Sequence, residues 1–191
     1  MNEPPVQRRG PGSRADERHP TRHQLLDGAL TVAENRGLAE LSISEVTSAA
    51  GVAKGTFYVH FPDRDAVIVA LHRRFHDDLF THILQATGDL APGAARLEAR
   101  LTAFLDACRR SQGVRAMLLD ARALPLLRDE RRRRDGAAAA VIADDLRAIR
   151  PTGHESATAH LLVAATVEVA DRELHERRRM PALRAALLDL V

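Results

Sequence analysis

Apolar residues recur along this 191-residue chain at the three- and four-residue spacing of amphipathic helices. The first such face consists of Leu25, Leu26, Ala29, Leu30 and Ala33. The preceding Thr21-Arg22-His23-Gln24 matches a capping box, and Gly37 supplies a residue suited to the end of the helix. Alternation with period two, which would indicate strands, is not visible. The pattern predicts an all-α protein.

Two shorter segments follow the first helix and precede a long one. Ser42-Ile43-Ser44-Glu45 is a second capping box, and Gly51 ends the helix behind it after about two turns. The next segment runs from Val52 to Phe61, and Pro62-Asp63 then precedes a long helix. Its apolar face contains Val67, Ile68, Leu71, Phe75 and Leu79. Short helices joined by tight turns are typical of a helix-turn-helix unit.

The rest of the chain predicts a larger helical bundle. Proline and glycine divide it into helices over about 94–110, 114–124, 128–150, 155–179 and 182–191. At the other end, residues 1–20 carry four of the nine prolines and little to bury, which predicts a flexible arm. Whether arginines 8, 9, 14 and 18 touch DNA or merely solubilise the arm stays open. The expected organisation is arm 1–20, helix-turn-helix domain 21–66 and bundle 67–191.

Composition excludes several classes of protein. No apolar run approaches the ~18 residues of a membrane span, and the N-terminus lacks the apolar core of a signal peptide. A single cysteine, Cys108, excludes an intrachain disulfide and favours a cytoplasmic location. No nucleophile elbow, phosphate loop or paired-carboxylate motif is present, so we expect neither an enzyme nor a cofactor. The net charge of +2 does not by itself indicate nucleic acid.

One short window concentrates unusual residues. The only lysine, Lys54, and three of the six aromatic residues fall within 54–61. In a helix-turn-helix unit the first turn of the second helix enters the major groove, which gives Lys54, Gly55 and Thr56 access to base edges. Tyr58 and His60 suit phosphate oxygens. Phe57 and Phe61, spaced i, i+4, are expected to pack inward.

Residues 37–65 resemble the signature of the TetR/AcrR family of bacterial transcriptional regulators, through Ile43, Val46, Ala50-Gly51-Val52, Gly55-Thr56, Tyr58 and His60-Phe61. The similarity extends over about 21–70. It implies a three-helix DNA-binding module linked by a long helix to a C-terminal ligand-binding and dimerisation bundle. Ser42, Tyr58, His60 and Arg64 would contact phosphates. Ala53 departs from the usual serine, which removes a side-chain cap from the recognition helix, and Thr47 replaces an alanine.

The resemblance also implies function and partners. We expect a homodimer, most often a repressor in this family, that binds a palindromic double-stranded operator and is released by an unidentified small-molecule inducer. Candidate inducer contacts are Phe80, Phe104, Cys108, Met117, Leu118, Asp120 and Arg122. Candidate dimer contacts are Leu161, Leu162, Ala165, Leu183 and Leu187, with intrachain packing as the alternative. A ligand-independent DNA-organising or protein-interaction adaptor is the competing hypothesis, and a closed bundle without a sizeable cavity would favour it.

Three further features have two interpretations each. His72 and His76 lie i, i+4 and have the spacing of metal ligands, but no third ligand is apparent, so a solvated or core-edge pair is preferred. Cys108 is expected to be a buried thiol rather than a redox sensor. The run 131–134, four arginines, is expected to form an exposed charged helix face, with a second nucleic-acid contact as the alternative.

Overall fold

The computed structural model describes residues 19–110, 117 and 120–190. Its α-helices are α1 (Pro20–Arg36), α2 (Ile43–Ala50), α3 (Lys54–His60), α4 (Arg64–Thr87), α5 (Ala94–Arg110), α6 (Arg128–Ile149), α7 (Glu155–His175) and α8 (Pro181–Leu188). Short 3-10 helices span Asp120–Ala123 and Pro125–Leu127. The described residues contain no strand, and the all-α prediction is confirmed.

The chain separates into two compact units, and the boundary between them falls after Leu71, inside α4. The expected boundary after residue 66 also lies inside this helix. The arm predicted over 1–20 lies outside the described residues, apart from its last two positions.

The first helix starts earlier than its sequence predicts. Its N-cap is His19, whose Nδ1 accepts a hydrogen bond from the Thr21 N–H at 3.2 Å. Pro20 occupies the first helical position, where its missing N–H costs nothing and its fixed φ favours the helix. The predicted Thr21–Gln24 capping box is therefore wrong.

The second helix begins and ends as predicted. The Ser42 hydroxyl accepts the Glu45 N–H at 3.3 Å and donates to the Glu45 carboxylate at 2.7 Å. Gly51 closes the helix in the left-handed conformation, with φ of 66° and ψ of 29°. Helices α1 and α2 approach closely at Gly28, where an added Cβ would lie 2.8 Å from the Val46 carbonyl oxygen. This contact requires glycine.

Helices α5 to α8 enclose the core of the C-terminal unit, which is built from Leu97, Leu101, Leu105, Cys108, Ala139, Ile142, Ala143, Leu146, Ala159, Leu162, Val163, Val169, Ala170 and Leu187. Two predicted ends differ from the structure. The helix expected to reach 179 ends at His175, since Arg177 adopts a positive φ of 53°. The last helix begins at Pro181, a proline in its first turn.

The helix predicted over 114–124 is also partly wrong. Residues 111–116, 118 and 119, and with them the candidate Leu118, lie outside the described part of the chain. From Asp120 onward the structure has a 3-10 helix instead, and Pro125 begins a second one. Pro125 occupies the first position of that second helix, where its missing N–H costs nothing.

Candidate DNA-binding surface and ligand cavity

The first turn of α3 is exposed. Ala53, Lys54 and Gly55 are exposed and Thr56 is half-buried. Ala53 is the N-cap and provides no side-chain hydrogen bond, as its sequence predicts. Further along the helix, Tyr58 is 51% and Val59 65% exposed. Val59 escaped the sequence interpretation, although an apolar residue beside an exposed tyrosine on a recognition helix is a signal for contact with thymine methyl groups.

Two buried phenylalanines pack the inward face of α3 against the core of the module. Phe57 is fully buried and Phe61 nearly so, with ring centroids 5.6 Å apart. The Tyr58 ring meets Phe57 edge-on at 5.5 Å. The predicted inward packing is confirmed, and it fixes which face of α3 points outward.

Gly55 has no packing requirement within the protein. A Cβ added there would meet nothing within 4 Å, and its φ lies outside the positive region that favours glycine. Glycine inside a helix costs about 1 kcal/mol relative to alanine. Nothing in the fold of the described chain accounts for that cost, in contrast to Gly28.

Arg64 has a role that its sequence did not indicate. Its guanidinium donates through Nη2 to the Leu38 carbonyl oxygen at 3.0 Å, and also bonds the carbonyl oxygens of Ala39 and Leu41. These bonds tie the start of α4 to the segment between α1 and α2. The geometry favours this internal role over the phosphate contact that the resemblance implies.

Two of the three other phosphate candidates, Ser42 and His60, also have contacts inside the module. The Ser42 hydroxyl bonds Glu45, whose carboxylate is paired with Arg36 as well. The half-buried His60 ring lies 4.8 Å from the His19 ring. These two contacts position the side chains, and their roles toward DNA remain predictions.

The C-terminal unit contains a cavity of about 410 Å³. Its apolar walls come from α4, α5, α6, α7 and Met117, and include Leu79, Phe80, Ile83, Leu84, Leu101, Phe104, Ala137, Ala138, Val141, Ile142, Val163 and Val167. Among the predicted ligand contacts, Phe80, Phe104, Met117 and Arg122 line the cavity, whereas Cys108 and Asp120 do not. Cys108 belongs instead to the buried core.

Arginines that line the cavity are engaged by other groups. Arg100 bonds the buried Asp145, Arg122 bonds Asp171 at 3.1 Å, and Arg134 bonds Asp77 and Glu130. The fourth, Arg131, donates to the Arg122 carbonyl oxygen at 3.2 Å.

Two histidines from α4 also line the cavity. His72 is 0% exposed, and its ring lies 4.4 Å from that of His76. Burial lowers the pKa of His72 to about 4 and that of His76 to about 3, so both are neutral at neutral pH. Both ring nitrogens of His72 and Nε2 of His76 are buried without a hydrogen-bond partner among the described residues. Of the two positions expected for this pair, solvated or at the core edge, the solvated one is wrong, because the helix turns both rings inward.

Metal binding gains no support in the part of the chain that the structure describes. It contains no group of three or more potential metal ligands. Cys108 is a buried thiol, as predicted, and burial raises its pKa to about 12.

The arginine run is only partly an exposed face, because Arg131 and Arg134 are half-buried while Arg132 and Arg133 are exposed.

The candidate dimer residues divide into two groups. Leu161 is 72% exposed, and Ala165 and Leu183 are half-buried against the core. Leu162 and Leu187 are buried within the chain's own core, so they cannot form a surface for a second subunit. For those two the intrachain alternative was the right one. They lie on the inward faces of α7 and α8, a distinction that apolar spacing alone does not make.

Comparison with known proteins supports one family. The family model for bacterial regulatory proteins of the tetR family matches residues 25–71. The chain is 31% identical over 99 residues to the HTH-type transcriptional repressor KstR2 of Rhodococcus jostii, covering 52% of this chain and 48% of that protein. It is 35% identical over 109 residues to the HTH-type transcriptional activator FasR of Mycolicibacterium smegmatis, covering 56% and 48%. The chain therefore spans about half the length of these curated relatives.

Structural similarity extends over nearly the whole chain. The transcriptional regulator FadR of Bacillus subtilis in complex with stearoyl-CoA superposes with a TM-score of 0.74 and 15% identity, covering 88% of this chain and 96% of that one. None of the described helices is long and apolar enough to cross a membrane. Residues 25–71 therefore match the tetR family of bacterial regulatory proteins, and the chain as a whole resembles the TetR/AcrR-family transcriptional regulators in fold.

Proposed function

We propose that the protein is a cytoplasmic, non-enzymatic repressor that binds a palindromic operator as a homodimer and releases it when a small molecule occupies the cavity. The observation that carries the DNA-binding part is the exposed first turn of α3, where a side chain at Gly55 would meet nothing within 4 Å among the described residues. Lys54 and Thr56 beside it supply ammonium and hydroxyl groups for base edges, and the exposed Tyr58 and Val59 extend the surface. Of the relatives compared, KstR2 is a repressor and FasR an activator, and the proposal follows KstR2.

The cavity supports the ligand-responsive part of the proposal. A ligand-independent adaptor would have a closed bundle, whereas about 410 Å³ lies within the range of small-molecule sites. The related fold of Bacillus subtilis FadR holds stearoyl-CoA. Because α4 runs from Arg64 past the cavity-lining His72 and His76, a ligand that favours one position of this helix would bias DNA binding.

Changing Lys54 and Gly55 separately tests the DNA-binding surface. Lys54→Ala is expected to weaken binding about tenfold, because it removes a cation from the groove-facing turn. Gly55→Ala is expected to weaken binding by a similar factor while raising the free energy of unfolding by up to about 1 kcal/mol. Binding is measured by fluorescence anisotropy on duplexes selected from a random pool, and stability by urea unfolding.

A charge-matched control lies in the other unit. Arg147→Ala removes an exposed cation that pairs with Asp144, and it should leave operator affinity unchanged. Undiminished binding by both Lys54→Ala and Gly55→Ala would exclude the first turn of α3 as the reading surface.

Substitution of Leu161 tests whether the protein forms the proposed homodimer. This leucine is the most exposed large apolar side chain among the described residues of α7, so Leu161→Glu is expected to shift the protein toward monomers in sedimentation velocity. Glu98→Lys, a change of an exposed residue on α5, serves as the control and should leave the oligomer intact. A Leu161→Glu protein with the sedimentation coefficient of the unchanged dimer would remove Leu161 from the interface.

A further inference from the structure

We propose that the cavity takes an uncharged, largely apolar molecule whose hydroxyl group hydrogen-bonds to the imidazoles of His72 and His76. The inference rests on the proposed function, in which this cavity holds the inducer, and names the chemistry of that inducer. Three features carry it: the apolar walls, the pairing of the charges around them, and the two unpartnered imidazoles.

Most of the cavity wall is hydrocarbon. Two phenylalanines, Phe80 and Phe104, are joined by a larger number of aliphatic side chains from four helices. A volume of about 410 Å³ enclosed by such walls favours a ligand with a sizeable apolar body, because burial of apolar surface provides the main gain in binding.

The charges around the cavity offer little to a charged ligand. Arg100 is only 11% exposed and is bonded to Asp145, the Val141 carbonyl oxygen and the Thr87 hydroxyl. Arg134 is held between Asp77 and Glu130. A carboxylate ligand would have to displace an existing acidic partner at either arginine, so it would gain little.

Arg131 is the point at which an anionic ligand would find its best opening. It donates to a carbonyl oxygen rather than to a carboxylate, although Asp135 stands one turn further along α6 and also lines the cavity. This neighbouring negative charge opposes a second carboxylate at the same place. An anion at Arg131 is therefore the alternative that the experiment has to distinguish.

The histidine pair is a buried polar feature of the cavity wall that the described residues leave without hydrogen-bond partners. A neutral imidazole has one N–H donor and one nitrogen acceptor, and a hydroxyl group likewise both donates and accepts. Two imidazoles with ring centroids 4.4 Å apart, and three buried nitrogens without a protein partner among the described residues, match that pairing. Leaving such groups unmatched is costly, which favours a ligand that satisfies them.

Three probes with the same chain and different head groups test the inference: decanol, decanoate and decylammonium. Isothermal titration calorimetry on the full chain at neutral pH is expected to show decanol binding about tenfold tighter than either ion. His72→Leu with His76→Leu should reduce this preference to about onefold, since leucine retains the apolar volume and removes the nitrogens. The control is Arg147→Gln, at an exposed arginine outside the cavity, and it should leave the preference unchanged. Arg131→Gln tests the anion alternative separately.

Imidazole nitrogen resonances provide a readout that does not depend on the folding of a variant. Adding decanol to the unaltered protein should shift the ¹⁵N signals of His72 and His76, and it should leave those of the exposed His175 in place. Absence of decanol binding, equal or tighter binding of decanoate, or a preference that survives loss of both histidines would each overturn the inference. Tighter decanoate binding that Arg131→Gln abolishes would assign the site to an anion instead.

Failure of this inference is distinguishable from failure of the proposed function. Operator binding by the ligand-free protein is measured separately on the selected duplexes. Intact operator binding without decanol selectivity overturns the ligand class alone. If the protein prefers decanol but binds no duplex, the proposed DNA-binding function is wrong and the proposed ligand class is supported.

Discussion

Asp145→Ala is expected to lower the free energy of unfolding by about 3 to 5 kcal/mol, because it strips buried arginines of their counter-charge. Asp145 is 0% exposed on the inward face of α6. Its Oδ1 accepts from Arg96 Nε at 2.6 Å and from the Gly93 N–H at 3.3 Å, and its Oδ2 accepts from Arg100. One carboxylate thus fastens the start of α5 to α6.

The size of this effect follows from what the substitution leaves behind. The side chains of Arg96 and Arg100 are only 15% and 11% exposed, so neither can recover full hydration in the folded protein. An uncompensated buried cation costs far more than a lost exposed ion pair. Urea unfolding followed by circular dichroism measures the change.

The adjacent residue gives a matched control. Asp144 is exposed and pairs with Arg147 one turn later on the same helix, so Asp144→Ala should change stability by less than about 0.5 kcal/mol. Equal losses from Asp144→Ala and Asp145→Ala would show that the buried pairing with α5 does not stabilise the unit.

The DNA-binding module is the part of the fold that its sequence predicts best, because local chemistry determines it. Ser42 caps its helix with its own hydroxyl, and Gly51 supplies the left-handed turn. Phe57 and Phe61 lie on one face because their spacing is fixed by the helix. Each of these signals acts over a few residues. Arg64 is the exception, since its partners lie more than twenty residues earlier in the chain.

The sequence analysis did not predict the buried carboxylates of the C-terminal unit, although their positions on apolar helix faces indicate burial. Asp145 follows the buried Ile142 by three residues, and Glu173 follows the buried Val169 by four. An acidic residue on an apolar helix face demands a partner. Glu173 finds it in Arg184 at 2.6 Å, a contact between α7 and α8. The sequence shows that a partner is needed, but not which arginine supplies it.

The cavity could be anticipated only in part. Phe80, Phe104, Met117 and Arg122 were predicted to line it, and they do. The sequence could not show that Cys108 and Asp120 lie outside the cavity. Helical spacing indicates which face of a helix points inward, but not whether that face packs against another helix or borders a cavity. The same limitation applies to the two histidines, whose i, i+4 spacing predicted a metal site, a solvated pair or a core-edge pair but did not indicate a cavity wall.

The histidine pair should also make the protein unusually sensitive to mild acid. Between pH 7 and 5 the unfolded chain protonates both side chains near their ordinary pKa of 6.5, whereas the folded protein does not, since burial holds their pKa at about 4 and about 3. The unfolded state then binds more protons, so stability falls as pH falls. Each histidine contributes a loss of about 2 kcal/mol over this interval.

Burial sets the direction of both pKa shifts, and the charged groups around the two imidazoles modify them. Among the charges, Arg134, Arg131 and Arg73 lower the pKa of His72, and Glu130 raises it. Burial raises the pKa of Glu130, but hydrogen bonds from Arg73 and Arg133 outweigh that effect and lower it to about 2. Its stabilising contribution is complete above its ordinary value of 4.5 and is lost as the pH falls toward 2, below the interval in which the histidines act.

Urea unfolding at pH 7 and pH 5 measures this effect in the unaltered protein and in His72→Leu with His76→Leu. The variant should lose about 4 kcal/mol less than the unaltered protein on acidification, because it has no buried imidazole to protonate on unfolding. His175→Gln, which removes an exposed histidine, should leave the pH dependence unchanged. Parallel stability losses in all three proteins would mean that the pair is as accessible to protons in the folded state as in the unfolded chain.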